Sequence, residues 1–161
     1  MNVSKLSASA TRVFRALAEK GLPCDVRELS DSTRSAAEAA EAVGCHVSQI
    51  AKSLVFKGEH TDQGVLVIAS GSNRVDLRKI GCLLGEDLIR MEGAEVNRRT
   101  GFAIGGIPPV GHDEKMSCFF DHDLLAFDEI WAAAGTPFAV FPCKPTDLLR
   151  ITAATVVDLA E

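Results

Sequence analysis

Ser53-Leu54-Val55-Phe56-Lys57-Gly58-Glu59-His60-Thr61-Asp62-Gln63-Gly64-Val65-Leu66-Val67-Ile68-Ala69-Ser70 holds two apolar runs joined by a polar link that begins and ends in glycine. Both runs are short and rich in β-branched residues, so the pair predicts an antiparallel hairpin inside a buried sheet. Gly71-Ser72-Asn73 makes the next turn. Asp76 is placed to cap a helix whose apolar face is Leu77, Ile80, Leu83 and Leu84, with Gly85 at its end.

Outward from the hairpin, Leu6, Ala10, Val13, Phe14 and Leu17 recur at helical spacing, and Gly21 and Pro23 supply a stop. Cys24 to Leu29 reads as a short strand. Ser35 and Glu38 have capping-box spacing ahead of the alanine-rich Ala36 to Val43, and Gly44 follows. Ala94 to Arg99 predicts a short helix. Ser117 to Phe120, Leu125 to Trp131, Pro137 to Phe141 and Thr155 to Leu159 predict strands, and Pro145 to Leu149 a helix started by proline. Neither an internal repeat nor a linker interrupts residues 1–161, which predicts a single domain. The elements interleave without long βαβ regularity, so the fold class expected is α+β, a mixed, largely antiparallel sheet with peripheral helices.

With 161 residues and 47% hydrophobic content the chain can bury one substantial core. No apolar run approaches the length of a transmembrane helix, and Met1 to Leu6 lacks a secretory pattern, so a cytoplasmic protein with no membrane partner is expected. The five cysteines are widely spaced without a C-x-x-C pair and read as reduced, semi-buried side chains. His112, Cys118, Asp121 and His122 lack the tight paired spacing of a closed metal site, so no metal is expected. A net charge of −5 is awkward for a nucleic-acid binder, because phosphate contacts supply most non-specific affinity. Basic residues do cluster at Arg74, Arg78 and Lys79 and at Arg98 and Arg99. Such runs are usually solvated faces, but a protein touching only the 3′ end of an RNA needs few of them.

Thr100-Gly101-Phe102-Ala103-Ile104-Gly105-Gly106-Ile107-Pro108-Pro109-Val110-Gly111-His112 packs glycines and prolines too densely for a helix or a central strand. It is a shaped loop, suited to a rigid backbone surface against a substrate, although an ordinary connection has the same composition. Lys52 stands at the entrance of the first apolar run, with Ile50 and Leu54 on its face. It either snorkels outward or faces a cavity that holds an anion. The dinucleotide fingerprint, the phosphate-binding loop and the G-x-S-x-G elbow are all missing, which counts against those nucleotide-binding and nucleophilic-hydrolase classes.

Three stretches, Ile50-Ala51-Lys52-Ser53-Leu54-Val55-Phe56-Lys57, Asn73-Arg74-Val75-Asp76-Leu77-Arg78-Lys79 and the Thr100 to Gly111 loop, stand in an order and spacing that resembles the YbaK/ProX family of aminoacyl-tRNA deacylases. That family also occurs as the editing domain inserted in bacterial prolyl-tRNA synthetases. The resemblance spans about residues 20 to 160. It implies a sheet curled into a barrel-like core and hydrolysis of the ester between an amino acid and the 3′-terminal adenosine of tRNA. By motif match, Lys52, Gly105 and Pro109 take the catalytic positions. Ser53, Gly106, Ile107, Pro108, Gly111 and Arg74 become candidate substrate-binding residues.

The resemblance implies no cofactor. The partners implied are aminoacyl-tRNA, through its acceptor end, and an aminoacyl-tRNA synthetase. The attacking group is left open between water, the ribose hydroxyl and a substrate side chain. The substrate expected is a small amino acid, alanine, cysteine or serine, on the tRNA for proline or a related tRNA, in a pocket walled by Val26 to Leu29, Ser53 and Phe138 to Phe141. A non-catalytic tRNA- or nucleotide-binding module on the same fold is the alternative.

Overall fold

The computed structural model describes residues 6–161; the N-terminal reading on Met1 to Lys5 lies outside the described residues. The elements in chain order are α1 (Ala8–Glu19), β1 (Arg27–Glu28), α2 (Ala36–Val43), β2 (Ile50–Gly58), β3 (Gly64–Ser70), α3 (Leu77–Leu84), β4 (Leu88–Arg90), α4 (Gly93–Thr100), β5 (Ser117–Asp121), β6 (Ile130–Ala133), β7 (Ala139–Cys143), α5 (Pro145–Thr152) and β8 (Thr155–Val157).

The hairpin forms as read. β2 and β3 pair antiparallel with Ser53 opposite Ile68, and every residue of β3 is buried. Around them the strands run β1-β7-β6-β2-β3-β5-β8, with β4 also on β2. The sheet is mixed: β2 with β6, β3 with β5 and β5 with β8 are parallel, and the remaining pairs antiparallel. Its two end strands, β1 and β8, are not paired with each other.

Alternation along β2 and β3 separates two cores. Val55, Leu66 and Ile68 face α1 through Val13, Leu17, Phe102 and Phe120. Phe56, Val65, Val67 and Ala69 face α3 through Ile80 and the C-terminal Leu159. A third cluster joins Ala39 and Ala40 of α2 to Ile50, Trp131 and Val140, where small side chains let the helix lie close. The caps are those the sequence indicates: Ser35 Oγ accepts from Glu38 N, and an Asp76 carboxylate oxygen accepts from Arg78 N.

Three segments differ from the sequence reading. β4 has only three residues and no strand signature of its own; it exists because Phe56 to Gly58 offer it an edge. The stretch from Leu125 is not one strand: His122–Ala126 forms a 3-10 turn capped by Asp121, and the strand begins at Ile130. In the Cys24 to Leu29 segment only Arg27–Glu28 pairs, at the edge of β7.

Candidate active site

β2 carries β3 along one side, but its other side is shared. β6 covers it at Ile50 and Ala51, and β4 covers it from Phe56 to Gly58. Between those two strands, Lys52 to Val55 have a partner strand only in β3. Gly58 N donates to Gln63 O and Gly71 N to Ile50 O, so the even-numbered residues of β2 bond β3. The N–H and C=O groups of Ser53 and the N–H of Val55 are therefore directed to the open edge.

A cleft of about 820 Å³ lies along that edge. Ala36, Ile50, Val55, Met91, Ile104 and Trp131 contribute apolar wall; Lys52, Ser53, Arg34 and Arg90 contribute polar groups. The far side is the Gly105-Gly106-Ile107 segment of the loop.

Lys52 is half-buried, and its Nζ donates to Asn73 O at 2.6 Å. Asn73 is fixed in turn, since its side-chain amide donates to Asp121 at 2.9 Å and to Asp123 at 2.8 Å. Asp121 is buried and also accepts from Ser70 N and Asp123 N. Burial pushes Lys52 below its ordinary value of 10.5, and the nearby Asp121 carboxylate opposes that. An ammonium has three donors, so the bond to Asn73 leaves two for a ligand.

The loop divides into two halves. Gly105 takes φ +102, a conformation favouring glycine, and the Arg34 side chain lies against its open face. Gly106 abuts the Thr136 backbone, where an added Cβ would sit 2.5 Å from Thr136 C, and its carbonyl accepts from Gly135 N. The second half is an anchor. Pro108, Pro109 and Val110 are buried, His112 Nε2 bonds Pro108 O at 2.7 Å, and Arg12 of α1 donates to Gly111 O. Burial lowers the pKa of His112, against the opposing bond to Pro108.

Of the residues singled out in the sequence, Lys52, Ser53, Gly105, Gly106 and Ile107 line the cleft together. Pro108, Pro109 and Gly111 do not, because the α1 clamp holds them beneath the loop. Arg74 is exposed outside the lining, its carbonyl bonded to Glu161 N. The expected pocket walls also change: Val140 lines the cleft, whereas Phe141 and Val26 are core and Phe138 faces outward.

One of the basic pair before the loop, Arg99, is corrected as well, while Arg98 is exposed. Arg99 is buried and bonded to Glu114, Glu95 and Asp62 O, so it is not open to phosphate. Arg34 and Arg90, missed in the sequence, stand exposed in the lining and make no ion pair among the described residues. Nothing in the local sequence marks them, since their place depends on α2 and β4 meeting at one edge.

Among the described residues no three His, Cys, Asp or Glu side chains converge on a metal position. Burial raises the Cys24 thiol to about 11 and Cys118 to about 12, which keeps both protonated at neutral pH. No helix of the described residues is long and apolar enough to cross a membrane.

An open strand edge, a half-buried lysine and a glycine loop meet across one cleft. Residues 30–151 match the aminoacyl-tRNA editing domain family, and the chain belongs to that family. It is an aminoacyl-tRNA deacylase, a hydrolase of carboxylic esters. The multifunctional Ser/Thr-tRNA deacylase ProXp-y of Escherichia coli (strain K12) is 30% identical over 161 residues, covering 97% of this chain and 95% of that protein. A candidate Cys-tRNA(Pro)/Cys-tRNA(Cys) deacylase, EbsC of Enterococcus faecalis, is 25% identical over 151 residues, 92% of each chain. The crystal structure of a candidate trans-editing enzyme for prolyl tRNA synthetase superposes with a TM-score of 0.92 at 50% identity, covering 98% of this chain and 99% of that one.

Proposed function

We propose that the protein works in trans in the cytoplasm, removing a small amino acid, alanine, cysteine or serine, from the tRNA for proline or a related tRNA. The observation that carries this reading is the meeting of Lys52, Ser53 and Gly105 to Ile107 on one cleft along the unpaired edge of β2. A mischarged amino acid is held by an ester already activated toward water, so the protein's task is to position it and stabilise the developing oxyanion. In the reaction a hydroxylic nucleophile adds to the ester carbonyl and the bond to the ribose oxygen breaks. With water as nucleophile, the amino acid leaves as a carboxylic acid and the ribose oxygen takes up a proton.

Lys52, tethered to Asn73, directs its remaining N–H groups toward the terminal phosphate or ribose. The backbone of Gly105 and Gly106 and the edge N–H groups of Ser53 and Val55 supply donors for the carbonyl oxygen. Pro109 acts at one remove, by anchoring the loop. Arg34 and Arg90 stand at the cleft as the cations for the RNA backbone, in place of Arg99.

Sieving by volume agrees with the short side chains Ala36, Ala39, Ala51 and Ala132 in the lining. The names of the two deacylase relatives, for Ser/Thr and for Cys esters, support a small substrate without choosing among the candidates. A deacylation panel over alanyl, seryl, cysteinyl, prolyl and bulky aminoacyl-tRNAs tests the reading. Fast release of one small residue with prolyl-tRNA spared is expected; equal cleavage of all esters would refute the sieve.

A further inference from the structure

Ser53 is the site's unbalanced group. Its Oγ is buried and has no hydrogen-bond partner among the described residues. Its neighbours on the same face of β2, Ala51 and Val55, belong to the apolar core. An unpaired buried hydroxyl is costly, whereas a methyl at the same place carries no polar cost.

The other polar side chains of the lining are committed or lie at the rim. Thr33 Oγ1 donates to Pro137 O, Ser35 caps α2, and Lys52 lies on the opposite face of β2, bonded to Asn73. Arg34 and Arg90 are exposed. The ester carbonyl already has backbone donors at hand in Ser53 N–H, Val55 N–H and the Gly105-Gly106 segment, and the carbonyl of Ser53 is open to an α-ammonium. What remains to satisfy Ser53 Oγ is a polar atom on the side chain of the amino acid itself, met when the serine side chain turns from its sealed position toward the cleft it lines.

We propose that the Ser53 hydroxyl is a specificity determinant that favours a hydroxyl-bearing aminoacyl side chain, serine, over alanine. This rests on the small-aminoacyl reading above. A seryl hydroxyl both donates and accepts, so it completes Ser53 Oγ whichever way that group rotates. An alanyl methyl fills similar space and leaves the hydroxyl unpaired. Sites that hydrogen-bond a substrate hydroxyl discriminate against the analogue lacking it far more strongly than apolar pockets do. A cysteinyl thiol, a weak donor and acceptor, ranks between the two.

The test compares wild type with Ser53→Ala on seryl- and alanyl-tRNA built on the same tRNA, reading kcat/KM for each ester. The serine-to-alanine ratio is expected to exceed one in wild type and to fall by about tenfold in S53A, with much of the change in KM. Thermal melts accompany the kinetics, and Ser53→Cys serves as a second variant of similar size, expected to fall between the two. An equal proportional loss on both esters, or an unchanged ratio in a folded variant, would overturn the assignment while leaving the deacylase reading intact. Wild-type protein that cleaves neither ester would overturn both.

Discussion

The Lys52 ammonium lies 2.6 Å from the Asn73 carbonyl oxygen, across the turn that follows β3. The cation is thus positioned by backbone, and that backbone is held by an amide bridging Asp121 and Asp123. Asp123 had no role legible in the sequence. Its place in this chain of contacts links a 3-10 turn to the edge of the cleft.

Lys52→Ala is therefore expected to lower deacylation at least about tenfold, roughly 1.4 kcal/mol of transition-state binding, without lowering the melting temperature. Removing a half-buried ammonium relieves desolvation, so the fold has little to lose. Asn73→Ala should behave differently, since it leaves Asp121 and Asp123 without their shared donor. It should melt earlier than wild type and lose less activity than Lys52→Ala. Full turnover by folded Lys52→Ala would remove the lysine from the chemistry.

The adjacent glycines should separate by the same pair of measurements. At Gly106 a Cβ would meet the Thr136 backbone at 2.5 Å, and backbone has no easy way to yield. Gly106→Ala should lose about 3 kcal/mol of stability. At Gly105 the Cβ meets the flexible Arg34 side chain at 3.2 Å, so the main penalty is φ +102, about 1–3 kcal/mol. Its activity should fall more than its stability. A Gly105→Ala protein that melts early yet turns over normally when folded would make that glycine purely structural.

Much of this was legible locally. The hairpin announces itself because β3 is buried on both faces and both strands read as short apolar runs, and the caps at Ser35 and Asp76 depend on neighbours three or fewer residues away. The parity that sets Lys52 on the face of Leu54 also follows from strand geometry alone. The cleft does not. It exists because β6 stops after Ala51 and β4 starts at Phe56, a gap made by two distant segments. Arg99 was misread for a similar reason: its burial depends on Glu114, fifteen residues away across the loop. The short β4 strand was invisible because Leu88–Arg90 carries no period of its own.

Exchanging Arg99 for Arg34 and Arg90 as candidate phosphate contacts changes what tRNA binding should show. Log affinity against log salt should have a shallow slope, equivalent to roughly two to four phosphates. The double variant Arg34→Ala/Arg90→Ala should reduce that slope by about two, uniformly across aminoacyl groups. Arg99→Met should melt earlier and leave the slope unchanged. A slope that responds to Arg99 and ignores the other two would reverse the assignment.

The Arg99 cluster also predicts acid sensitivity. A hydrogen bond from Arg99 holds Glu114 below the usual 4.5, and hydrogen bonds from Lys57 and then Arg99 do the same for Glu95. A carboxylate whose folded pKa is depressed stabilises the fold above its unfolded value, and that contribution is lost as pH falls through the folded value. Arg99 itself is only 5% exposed, so protonating its partners leaves a buried cation without its countercharge. The melting temperature should therefore fall steeply once pH drops below about 4.5, where an unfolded glutamate takes up its proton. Glu114→Gln should start from a lower melting temperature at neutral pH and show a shallower acid limb, because one of the titrating groups is gone. Parallel acid limbs for wild type and Glu114→Gln would mean that the cluster does not govern stability at low pH.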